Sequence, residues 1–105
     1  MREKVIGKKK PCEQYFVTFD YRNKKCFEPH ERIRKVTVGA FDLTDDRDVS
    51  KYFLDPSKQN IDRRQIFLWV REGLIGHVYR VWCHVAGSKG TRWENAMEIL
   101  VEGDK

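Results

Sequence analysis

The residues best suited to chemistry in this 105-residue chain are the acids at 42–48 and the scattered cysteines and histidines. Asp42, Asp45, Asp46 and Asp48 crowd one short stretch, a density of carboxylates that calcium loops use. An EF-hand loop also needs Gly at its sixth position and Glu at its twelfth. Counted from Asp42, those positions hold Arg47 and Phe53. A looser cation site is the lesser alternative to a plainer role, in which Thr44 caps a short helix reaching Tyr52 or Phe53. The acids then sit at the positive end of that helix.

Cys12, Cys26 and Cys83 stand at long, irregular spacings, without the closely spaced cysteine pairs of structural zinc sites. Their odd number argues against a disulfide framework and for a reducing compartment. Cys83 reads as a small buried hydrophobe. His77 and His84 are separated by an odd number of positions, so on one strand they point to opposite faces and cannot share a metal or a substrate. No pair of cysteines at zinc spacing stands with His30. The chain has no P-loop, dinucleotide fingerprint or nucleophile elbow. The expectation is a protein that is not an enzyme and uses no metal or cofactor.

Binding chemistry is better represented. Phe67, Trp69 and Trp82 alternate with apolar residues, and Arg80 lies two positions from Trp82. Aromatic rings beside arginine are enriched at interface centres, and solvent rarely faces several large rings without reason. Charge is unevenly placed around a net +5: residues 1–35 carry 11 basic and 5 acidic side chains, whereas residues 36–62 carry 3 and 6. Lys8, Lys9 and Lys10 form the core of a basic N-terminal arm over residues 1–12, able to meet phosphates or an acidic partner. Together with Arg32–Lys35, the arm supports a competing reading as a small cytosolic nucleic-acid-binding module, with the aromatics stacking on bases, or a phage-encoded inhibitor of such a module.

Nothing resembles a signal peptide, and no apolar run approaches the ~20 residues that span a bilayer. The expectation is a soluble product, remaining in the cytoplasm where it is made, with no membrane contact.

These residues need elements to hold them. Tyr15–Tyr21 alternates, placing Tyr15, Val17, Phe19 and Tyr21 on one face. Ile33–Phe41 is a second β-branched run, and 54–62 reads as a loop from its Pro, Ser and Asn content. Residues 64–72 and 77–86 read as two strands of a hairpin turning at Gly73–Gly76. In that register Val70 faces Tyr79, Leu68 faces Val81 and Ile66 faces Cys83, while Trp69 meets Arg80 and Phe67 meets Trp82 on the other face. A third strand follows if Ser88–Gly90 is a three-residue loop ending at a glycine with positive φ. It sets Trp93, Met97 and Ile99 opposite Val85, Val81 and Tyr79, at the expense of placing Asn95 against Cys83. A four-residue loop would bury Glu94 and Glu98 instead. Helix formers in Glu94–Met97 offer a helical alternative, but the segment lacks a good cap and ends in β-branched residues. The expected architecture is mainly β: a two-layer antiparallel immunoglobulin-like β-sandwich over residues 13–103, with one short helix near 45–53.

The order of motifs resembles the small neck and fibre–tail adaptor proteins of tailed bacteriophages. It runs from Tyr15–Tyr21 with its aromatic-Asp pattern through Phe27–Ile33, with Glu31 two before Ile33. It continues through the Tyr79 strand and the Gly87-Ser88-Lys89-Gly90 turn to a closing Met97–Glu102 strand. The likeness spans roughly residues 13–103. Pro29-His30 stands where the family has Gly before Glu31, Ala86 where it has Thr, and the acids at 42–48 have no counterpart. The resemblance implies a structural virion subunit at the head–tail neck or tail. Such a subunit assembles as a homo-oligomeric ring with other virion proteins and anchors fibre or adaptor components. The patch of Phe67, Trp69, Arg80 and Trp82 is the expected interface, with the basic arm at Lys8–Lys10 reaching a neighbouring subunit.

Overall fold

The computed structural model describes residues 6–22, 30–62 and 64–103, Ile6 by its backbone alone. Cys26 and the Phe27–Pro29 portion of the motif above lie outside them. In chain order the described elements are β1 (Ile6–Lys9), β2 (Tyr15–Asp20), β3 (Ile33–Asp42), β4 (Arg47–Asp48), α1 (Ser50–Phe53), β5 (Leu54–Asp62), β6 (Gln65–Val70), β7 (Val78–Gly87) and β8 (Arg92–Val101). They form a five-stranded sheet ordered β1-β8-β7-β3-β4 and a three-stranded sheet ordered β2-β6-β5.

Each sheet contributes its apolar face to one core. Val17 and Phe19 of β2 and Ile66, Leu68 and Val70 of β6 meet Ala40 of β3, Tyr79, Val81, Cys83 and Val85 of β7, and Ile99 and Val101 of β8. The period-two spacing of these residues drives the arrangement, since it hides one side of each strand and leaves the other wet. All pairings are antiparallel except β1 with β8, which run parallel.

The third strand forms as the spacing predicts. Val85 lies opposite Trp93, Val81 opposite Met97 and Tyr79 opposite Ile99. Gly90 takes φ 96° in the connecting turn, and its N–H returns to the Gly87 carbonyl at 3.1 Å. Asn95 does oppose Cys83, and the misfit is resolved because the Tyr21 hydroxyl donates to Asn95 Oδ1 at 2.7 Å.

Three expectations are corrected. β6 and β7 are not a hairpin, because β6 pairs with β2 and β5 while β7 pairs with β3 and β8. Their inward residues face one another across the core, an arrangement that satisfies the same alternation. Glu72 (φ 60°) and Gly73 (φ 113°) turn the connection away from β6, and a Cβ on Gly73 would press into Val101. Residues 54–62 are a strand, not a loop. β5 is an edge strand whose register slips between Asp55 and Asn60, and that irregularity accommodates Pro56. The helix is only Ser50–Phe53, with Val49 at its N-cap and no side-chain cap. Thr44 instead accepts the Val78 N–H at 3.0 Å, and Arg47 and Asp48 pair with the end of β3.

The N-terminal arm is also different from the expectation. From Ile6 to Lys9 it is the edge strand of the larger sheet, so the described part belongs to the domain. Lys9 is 1% exposed. Its Nζ donates to the carbonyls of Lys10 (2.9 Å), Pro11 (3.4 Å) and Glu72 (2.5 Å). Burial holds the Lys9 pKa below its ordinary value, opposed by the charges of Glu13 and Glu72. Lys9 is therefore a structural clamp, while Lys8 and Lys10 stay exposed.

Candidate functional site

The four aromatic and basic residues read as one patch are divided between two surfaces. Phe67 and Trp69 project from the outer face of the three-stranded sheet. Arg80 and Trp82 project from the outer face of the five-stranded sheet, on the far side of the core. The hairpin register that joined them required β6 beside β7, and the sheet assignment removes it.

On the smaller sheet the rings acquire a partner that the spacing alone did not single out. Phe16 lies opposite Trp69 in the β2–β6 ladder. Its ring meets Trp69 edge-on with centroids 4.9 Å apart and Phe67 at 6.1 Å. Phe16 remains 48% exposed. Trp69 Nε1 donates to Gln14 Oε1 at 3.1 Å. The irregular part of β5 brings Lys58 Nζ to 4.0 Å from the Trp69 ring centroid, a cation–π contact. Edge-to-face rings fixed by a polar tether and a cation form a rigid apolar surface with a polar rim.

On the larger sheet Trp82 lies flat across Gly39. A Cβ at Gly39 would fall inside the indole ring, so glycine is the residue that admits this ring position. The His84 ring tilts against Trp82 at 4.8 Å. Further along the same face, Lys35, Ala86 and Arg92 form one row across β3, β7 and β8. Next to it stand Thr37, His84 and Glu94, with His84 Nε2 3.5 Å from Glu94. A groove of about 460 Å³ runs over these two rows.

Two polar clusters organise opposite ends of the two packed sheets, and the full partner set of neither was visible in the sequence. Glu31 is buried at 2% exposure and accepts the Lys89 N–H (2.9 Å), the Thr91 N–H (3.2 Å) and the Thr91 hydroxyl (2.8 Å). At the opposite end Asp42 is fully buried. Its Oδ1 accepts the amides of Thr44 and Asp45, and its Oδ2 lies 2.8 Å from His77 Nδ1. Burial pushes the Asp42 carboxyl upward, but the hydrogen bonds from Asp45, His77 and Thr44 outweigh it and leave the pKa below the ordinary range. Ligand atoms of Asp42, Asp45 and His77 lie within 4.8 Å of one another. The hydrogen bonds within this set explain it as a turn lock. Asp42 thus organises a turn rather than a helix start, while Asp48 accepts the Ser50 N–H where α1 begins.

Cys83 is buried and Cys12 exposed. Burial raises the Cys83 thiol to about 11, opposed by its hydrogen-bond contact with Tyr21, which leaves it an unreactive core residue. Among the described residues no helix is long and apolar enough to cross a membrane. Compared with protein-family models and with curated proteins, the chain matches none.

Proposed function

We propose that this protein is a non-enzymatic structural subunit of a tailed-phage particle. In this reading it is an immunoglobulin-like β-sandwich that forms a ring at the head–tail neck or tail and anchors fibre or adaptor components. The observation that carries the reading is the contact between two motifs of the resemblance. The carboxylate of Glu31, in the Glu31-x-Ile33 motif, caps the Gly87-Ser88-Lys89-Gly90 turn through Lys89 and Thr91. The positive φ of His30 (64°) adds support, because it falls where the family pattern has glycine, the residue that adopts such a backbone most readily.

Assembly is assigned to the Phe16–Phe67–Trp69 face. Large rings bury about 150–250 Å² each and dominate interface energetics, and a ring repeats that burial at every subunit contact. Trp82 and Arg80, on the opposite side, are not part of this contact. The test is mass in solution for the wild type and for Trp69→Glu. The expected result is an oligomeric wild type and a monomeric variant with unchanged far-UV circular dichroism. A wild type that stays monomeric at tens of micromolar would overturn the reading, as would an oligomeric Trp69→Glu.

A further inference from the structure

We infer that the outer face of the five-stranded sheet, around Lys35, Arg92 and Trp82, binds single-stranded nucleic acid. This goes beyond the assembly role and uses the side of the molecule that role leaves free.

The fold gathers cations at one end of this sheet. The start of β3 carries Arg32, Arg34 and Lys35, and the β7–β8 turn with the start of β8 carries Lys89 and Arg92; all five are exposed. The two segments are joined directly, because the Arg32 N–H donates to Ser88 Oγ at 3.1 Å and the Ser88 N–H to the Arg32 carbonyl at 2.7 Å. Of the acids in this region, Glu31 is buried and turned to the turn amides, and Glu94, in the neighbouring row with its carboxylate 3.5 Å from His84 Nε2, is outnumbered by the five cations. Lys35 and Arg92 make no ion pair among the described residues. They stand in the same row with only the methyl of Ala86 between them, about two strand spacings apart. That spacing makes the floor of the groove.

Two rows further along, the same face presents Trp82 with His84 tilted against it. Exposed cations following an open groove, with a partly exposed indole on the same face, are the components of a single-strand site. Phosphates track the cations and a base stacks on the ring. A duplex fits less well. A duplex keeps its bases stacked and paired, out of reach of the indole, and the only helix among the described residues, four residues long, is too short to read a major groove.

The experiment is a titration of the full-length chain with a fluorescein-labelled twelve-residue oligothymidylate at 50 mM salt, followed by anisotropy and tryptophan quenching. Binding is expected to be saturable, with quenching, and to weaken steeply with salt. Lys35→Glu/Arg92→Glu should raise Kd at least tenfold. It should also flatten the slope of log K against log salt by about 0.7 per lost phosphate contact. Trp82→Ala should raise Kd several-fold and remove most of the quenching. Arg47→Glu/Lys51→Glu makes the same charge change around the helical turn, away from the groove, and should leave Kd within twofold. The inference is overturned by absence of saturable binding. It is equally overturned if the control pair weakens binding as much as the groove pair, or if a duplex binds as tightly without quenching. Circular dichroism of each variant separates loss of binding from loss of fold.

Discussion

The Glu31 carboxylate occupies the space that Gly87 leaves by having no side chain: a Cβ there would overlap its Oε2. One acid and one glycine, 56 positions apart in sequence, thereby lock the start of β3 onto the β7–β8 turn.

Breaking this lock should be measurable from either side. The end of a long side chain can usually yield to a methyl group, but Glu31 is held by two amides and a hydroxyl. Gly87→Ala should therefore cost about 1–3 kcal/mol. Glu31→Ala leaves the Lys89 and Thr91 amides without acceptors and should cost a similar ~1–3 kcal/mol. Glu31→Gln should lose less, because its carbonyl can keep both amides while its NH₂ donates to the Thr91 hydroxyl. Urea midpoints at pH 7 should rank the wild type first, then Glu31→Gln, then Glu31→Ala.

The Tyr21–Asn95 pair gives the half-buried polar residue opposite Cys83 a partner. Tyr21→Phe and Asn95→Ala should each destabilise by about 1 kcal/mol. Because they share one hydrogen bond, the double variant should cost less than the two singles combined. Strict additivity in that cycle would show that the bond contributes nothing.

Asp42 predicts an acid sensitivity with a definite sign. Its carboxyl titrates lower in the fold than in the unfolded chain, where about 3.9 is ordinary. On acidification the unfolded chain takes up the proton first, which favours unfolding. The stabilisation from Asp42 is fully present above about pH 4 and is lost as pH falls through the lower folded value. Asp42→Asn should therefore lower stability at pH 7 and narrow the difference between pH 7 and pH 3. Other carboxyls held low, including Asp48 beside Ser50, retain the rest of that difference.

Much of this fold could be read from periodicity, because burial of one strand face is a local, period-two property. Val17, Phe19, Leu68, Val81 and Ile99 declared their inward faces in that way. The β7–β8 register followed as well, since only one loop length kept Glu94 and Glu98 out of the core. What periodicity cannot encode is whether two buried faces lie side by side or opposite each other. Ile66–Val70 and Tyr79–Cys83 fit both arrangements, and the hairpin was the wrong one. The split of Trp69 from Trp82 followed from that single ambiguity. β5 carries no strand signal because Pro56 and its polar neighbours suit an irregular edge as well as a loop. Glu31 and Asp42 were opaque for another reason. Their partners are backbone amides and residues far along the chain, and amides carry no signature in a sequence.

The distribution of the outward aromatics also fixes what any bound partners could do to each other. The Trp69 surface and the Trp82 surface look away from one another through two layers about 10 Å apart, so an occupant of one has no line of approach to the other. Two molecules held at once would be kept at a set separation and orientation by the rigidity of the packed middle. In that geometry the chain acts as a spacer with two distinguishable ends, and turning it over would exchange which neighbour each end meets.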